Sequence, residues 1–135
     1  MISFVGAGPG DKKLITVRGR ELLETADTVI YAGSLVPKEL LSYCREDACI
    51  YDSSRMSLDE VISVMKEEDA KGRKVVRLHT GDPSIFGAIR EQMDELERLG
   101  IEYGAVPGVS SFTAAAAALP PIWISIPGPT APASG

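Results

Sequence analysis

Soft metal ligands are almost missing from this 135-residue chain, which has one histidine, His79, and two cysteines, Cys44 and Cys49. The cysteines lie close together and far from other ligand types, so no zinc site is expected, only reduced and partly buried thiols. Positive charge is also short. Fourteen Lys and Arg stand against 19 Asp and Glu, a formal net charge of −5, which removes the global electrostatic case for nucleic acid or an anionic membrane but leaves room for local basic clusters. No apolar run nears the roughly 20 residues that span a bilayer, and the N-terminus lacks the charged region and apolar core of a signal peptide. A cytoplasmic protein is expected. With 44% hydrophobic and 24% charged residues, the composition is that of an ordinary globular protein, and the length suits a single domain.

What is present is alternation. Short β-branched apolar runs at residues 2–5, 28–31, 49–51, 74–78 and 102–106 read as strands. Helical patterns lie between them: 16–25, a short piece at 37–43 opened by Pro37, 57–71, 83–99 opened by Pro83, and an Ala-rich stretch to residue 119 capped by Ser110 and Ser111. Ser57 and Glu60 make a capping box, with Val61, Ile62 and Met65 on one face behind it and Gly72 as the stop. Strand and helix in turn, with short connections, predict an α/β fold: a mostly parallel five-stranded sheet with helices on both faces. Residues 120–135 depart from this, carrying five of the nine prolines, and only 122–126 could pair as a strand.

Three glycine-bearing loops follow strands: GAGPGD (6–11), TGDPSIFG (80–87) and PGVSSF (107–112). Gly6 and Gly8 start a dinucleotide fingerprint, but Asp11 stands where its third glycine belongs, and the second strand ends Val29-Ile30-Tyr31-Ala32-Gly33 without the acid that would hold a ribose. A carboxylate there repels phosphate, so a non-phosphate ligand is expected. In a parallel sheet ligands sit outside the carboxyl ends of the strands, and all three loops are expected on that rim.

Taken together, GAGPGD followed by Leu14-Ile15-Thr16, then GDPSIFG, then VPGVSSF resemble the tetrapyrrole methylase family across residues 1–119. VIYAGSLVP (29–37) is similar to the subgroup acting on precorrin-4, or its cobalt form, at C11 in cobalamin synthesis, and Ala32 replaces an aspartate of the uroporphyrinogen-methylating branch. The resemblance implies a homodimeric enzyme of two domains that holds S-adenosylmethionine (SAM) in the cleft between them and binds a tetrapyrrole. Residues 1–119 then form the N-terminal domain, residues 120–135 a proline-rich tail outside the family pattern, and the second domain is expected to be absent.

SAM contacts carried over from the family fall on Pro9, Thr80, Gly81, Asp82, Ile85, Ser110 and Ser111, and substrate contacts on Gly8, Gly10, Lys12 and Lys13. Asp82 can attract the ligand's ammonium group or simply stabilise the helix that Pro83 opens. Asp11 is the catalytic candidate, assisting loss of the ring proton, with a turn aspartate as the plain alternative. His79 is a candidate base or a structural residue at a strand end. Lys12, Lys13, Arg18 and Arg20 can meet the substrate's carboxylates or form a solvated helix start. Other members of the family act on different substrates, and an inactive module that folds and self-associates is a further alternative.

Overall fold

The structure, a computed structural model, describes residues 1–8, 12–33, 36–79 and 89–108. Five strands, β1 (Ile2–Gly6), β2 (Thr28–Tyr31), β3 (Cys49–Asp52), β4 (Val75–His79) and β5 (Tyr103–Val106), form one sheet in the order β3-β2-β4-β1-β5. Every pairing is parallel. The α/β expectation holds, with strand limits shifted by a residue at several ends. The α-helices are α1 (Val17–Thr25), α2 (Leu58–Ala70) and α3 (Arg90–Arg98), and a 3-10 helix covers Lys38–Tyr43. Pro37 precedes that 3-10 helix as its cap rather than starting it. The helix expected at 83–99 is described only from its second half, and the expected Ala-rich helix, the strand at 122–126 and the proline-rich tail lie outside the described residues.

Alternation along the strands sorts side chains onto two faces. Ile2, Phe4, Ile30 and Val75 meet Val61, Ile62 and Met65 of α2 and Leu96 of α3. Val5, Val29, Val76 and Leu78 face the opposite way, onto Leu23 of α1 and onto Val36 and Leu40. Most of these are fully buried, and each such burial contributes about 1.5–3 kcal/mol. Helices therefore cover both faces.

Local chemistry sets the helix starts. Thr16 caps α1 by accepting from the Gly19 amide at 3.0 Å. In α2 the capping box forms as the spacing predicts: Glu60 N donates to Ser57 Oγ at 3.2 Å and Ser57 N to Glu60 Oε1 at 2.9 Å. At the amino edge of the sheet, Thr28 donates its hydroxyl to the buried Glu68 of α2, which also pairs with Arg73 at 3.1 Å and Lys71 at 3.6 Å. The Thr28 hydrogen bond, more than these cations, holds the Glu68 carboxyl below its ordinary range against the opposing cost of burial.

The outer strand β3 differs from the rest. Cys49, Ile50 and Tyr51 are exposed, so Cys49 is not the partly buried thiol expected of both cysteines. Cys44 is half-buried, and burial pushes its thiol up. Among the described residues, no helix is long and apolar enough to cross a membrane.

Candidate functional site

The chain places its three glycine-bearing loops after β1, β4 and β5, and these strands are neighbours in the sheet. Register brings their carboxyl ends level: Gly6 lies opposite His79 and Val5 opposite Val106. The Ala7 amide extends the ladder one step further, donating to the His79 carbonyl at 2.5 Å. Connections leave the neighbours β1 and β4 in opposite directions, from β1 past β4 to β2 on one side and from β4 past β1 to β5 on the other. A parallel sheet opens a crevice at such a point.

Gly8 begins the first loop in a left-handed conformation, φ 84°, and a Cβ built there would come within 3.0 Å of the Leu14 carbonyl oxygen. Gly8 is itself buried, so glycine is required here by the close approach of this turn to the Leu14 backbone. Beyond it the chain is pinned over the 3-10 helix. Lys12 Nζ donates to Ser42 Oγ at 3.1 Å and stands 4.8 Å from the centre of the Tyr43 ring, while the Arg20 guanidinium carbon stands 4.7 Å from the same ring. Tyr43 thus gathers two cations without neutralising either. Lys13 is exposed.

Beneath the rim lies a pair of basic groups that sequence reasoning treated only in part. Arg77 is 5% exposed, its Nε donating to Gln92 Oε1 at 3.0 Å and its Nη1 to the Ile30 carbonyl at 3.3 Å. Burial lowers it to about 10, so it stays charged at neutral pH. His79 stacks on Phe4, ring centroids 6.2 Å apart, and its buried Nε2 has no hydrogen-bond partner among the described residues. Burial first, and the Arg77 charge second, push His79 down to about 3. A neutral imidazole that weakly basic is a poor proton acceptor near pH 7, which favours the structural reading of His79. Arg77 and Gln92 carried no motif. The available signal was one charge inside the apolar run Val75-Val76-Arg77-Leu78.

The VIYAGSLVP segment has a steric basis. Gly33 adopts φ 67°, and a Cβ there would lie 2.7 Å from Ser54 Cβ and 3.3 Å from Asp52 Oδ1. Asp52 accepts from the Ser54 amide at 2.9 Å and hydroxyl at 2.7 Å, and Ser53 Oγ donates to the Tyr31 carbonyl at 3.0 Å. The turn after β2 is therefore pressed against the corner after β3.

Of the sequence-derived candidates, Gly8, Lys12 and Lys13 fall in the described chain on the β1 side of the rim. Pro9, Gly10, Asp11, Thr80, Gly81, Asp82, Ile85, Ser110 and Ser111 lie outside the described residues. The strand ends that carry them are described and are adjacent. A rim with an orphaned buried nitrogen beneath it, among the described residues, fits a polar organic ligand such as SAM.

Comparison with known proteins agrees with this arrangement. The model of the tetrapyrrole (corrin/porphyrin) methylases matches residues 1–121. The chain is 56% identical over 118 residues to a cobalt-precorrin-4 C(11)-methyltransferase of Methanocaldococcus jannaschii, covering 87% of this chain and 46% of that protein. A solved cobalt-precorrin-4 methyltransferase superposes with a TM-score of 0.84 at 47% identity, over 87% of this chain and 49% of the other. A uroporphyrin-III C-methyltransferase of Thermus thermophilus, solved in complex with S-adenosylhomocysteine, superposes with a TM-score of 0.70 at 32% identity, over 88% of this chain and 48% of the other. The chain spans about half the length of the relatives it matches.

Proposed function

Because the chain belongs to the tetrapyrrole (corrin/porphyrin) methylases, we propose that it forms the N-terminal half of a SAM-dependent methyltransferase acting at C11 of precorrin-4 or cobalt-precorrin-4. The observation that carries the proposal is the adjacency of β4, β1 and β5, whose level carboxyl ends carry the three loops on which the family's contacts fall. The 56% identity to a cobalt-precorrin-4 C(11)-methyltransferase supports the substrate. Ala32, in the segment similar to that subgroup and in place of an aspartate of the uroporphyrinogen-methylating branch, supports it over uroporphyrinogen III.

When bound, SAM supplies an electrophilic methyl group on a sulfonium, already a good leaving group. The protein's share is alignment and exclusion of water. Pro9, Thr80, Gly81, Asp82, Ile85, Ser110 and Ser111 hold the methionine and adenosine parts, with Asp82 drawing the ammonium. Gly8 and Gly10 stand at the substrate contacts carried over from the family. Lys12 and Lys13 meet its carboxylates, and the Tyr43 ring supports this by fixing Lys12 at the rim. Asp11 assists loss of the ring proton. Residues 1–119 supply one wall of the cleft, and a second domain supplies the other. The proposed enzyme is a cytoplasmic homodimer. Exposed Ile50 and Tyr51 on the open edge of β3 support self-association.

Calorimetric titration of SAM into the protein tests the reading: saturable binding that Asp82→Ala abolishes is expected. A folded protein giving no heat with SAM or S-adenosylhomocysteine would favour an inactive module.

A further inference from the structure

Beside the carboxyl end of β5 is an open recess of about 320 Å³, lined among the described residues by Thr16, Arg18, Ala105, Val106 and Pro107. Most of that wall is apolar. The Thr16 hydroxyl is already engaged, accepting from the Gly19 amide to cap α1. Arg18 is exposed and makes no hydrogen bond or ion pair among the described residues.

The neighbouring cations behave differently. Arg20 pairs with Glu24 at 3.2 Å and lies on Tyr43, and Lys12 is held by Ser42 and Tyr43. Arg18 alone of these three is left uncommitted, in a protein with a net charge of −5 that could readily have supplied a carboxylate. Its position does not help the helix either. It stands in the first turn of α1, which holds no acidic residue, and a cation there opposes the positive end of the helix dipole. Neither packing nor helix stability accounts for an unpaired guanidinium at the mouth of an apolar recess.

We infer that this recess is a subsite for a carboxylate carried on an apolar ring, with Arg18 as the anion receptor and Val106 and Pro107 as the wall against the ring. The inference rests on the proposed function, under which the occupant is an acetate or propionate side chain of the tetrapyrrole together with the pyrrole that bears it. Arg18 presents a planar fork that matches a carboxylate with two parallel bonds, whereas Lys12 offers a point charge. The recess holds one ring with its acid chain, not a whole macrocycle. The rest of the substrate then extends along the rim from β5 towards β1 and β4, where the SAM loops begin.

The test is a fluorescence titration of uroporphyrin I, a stable tetrapyrrole with eight carboxylates, into the full-length protein and three variants. Arg18→Gln removes the charge, Arg18→Lys keeps the charge but loses the planar fork, and Lys66→Gln removes an exposed cation on α2 as a control. Arg18→Gln is expected to weaken uroporphyrin by about tenfold, the scale of one lost charge-assisted contact, and Arg18→Lys by less. Lys66→Gln should match the parent protein, S-adenosylhomocysteine affinity should be unchanged in all, and added salt should weaken uroporphyrin less in Arg18→Gln than in the parent. Uroporphyrin bound equally by the parent and both Arg18 variants overturns the subsite and leaves the proposed function standing. A protein that binds S-adenosylhomocysteine but no uroporphyrin overturns both the subsite and the tetrapyrrole reading.

Discussion

Replacing Gly33 by alanine tests whether the turn after β2 is set by close approach or by backbone conformation alone. Gly33 and Gly72 are both left-handed, at φ 67° and 74°, but their surroundings differ. A Cβ at Gly33 would meet Ser54 Cβ at 2.7 Å, while at Gly72 nothing lies within 4 Å. Left-handed backbone costs an L-residue about 1–2 kcal/mol, offset in part by about 0.4–1 kcal/mol from a stiffer unfolded chain. Gly72→Ala should therefore cost about 1 kcal/mol. At Gly33 the neighbour is a Cβ, which cannot swing away without its backbone, and its displacement also strains the Asp52 bonds to the Ser54 amide and hydroxyl. Losing one such bond adds about 1 kcal/mol and the forced shift about as much again, so Gly33→Ala should cost about 3 kcal/mol. Urea denaturation followed by circular dichroism measures both. Ser54→Gly removes the obstructing Cβ and should recover part of the loss in the Gly33→Ala background, a favourable coupling in a double-mutant cycle. Equal losses at Gly33 and Gly72, with no coupling to Ser54, would refute the steric account.

Glu68 titrates below its ordinary value in the folded state, so its contribution to stability is present above the unfolded value near 4.5 and is lost as pH falls through the depressed folded value. Glu68→Gln should flatten the acid limb of the stability–pH curve, and an unchanged limb would contradict the Thr28–Glu68–Arg73 network. Thr16→Ala removes the α1 cap and should cost about 1 kcal/mol in the same denaturation assay; no loss would mean that Gly19 N finds another acceptor. Asp11→Ala should leave SAM affinity nearly unchanged in calorimetry while slowing turnover, and an equal loss of affinity would move Asp11 to the cofactor side.

Features closed within a few residues were legible before the structure. The α2 start was one, because Ser57 and Glu60 satisfy each other's amides across three positions. The helix-strand alternation was another, and so was the common rim, since consecutive parallel strands joined by helices place every following loop on one edge. Strand order was not legible. Cys49-Ile50-Tyr51 reads as an apolar strand like the others, and only its place at the edge of the sheet leaves it exposed. The basic cluster at Tyr43 was half-visible: Lys12 and Arg20 could be read as candidates, but the ring that gathers them is more than twenty residues away in the chain. Burial of Arg77 depended on Gln92 and the Ile30 carbonyl arriving from other elements, which no local pattern announces.

The central claim is tested most directly by offering the full-length protein isotope-labelled SAM with cobalt-precorrin-4, precorrin-4 or uroporphyrinogen III, and locating the label by mass spectrometry and NMR. Transfer of one methyl group to C11 of precorrin-4 or its cobalt form, in preference to uroporphyrinogen III, is the predicted result. Equal or faster methylation of uroporphyrinogen III, or no transfer by a protein that binds SAM, would contradict the account.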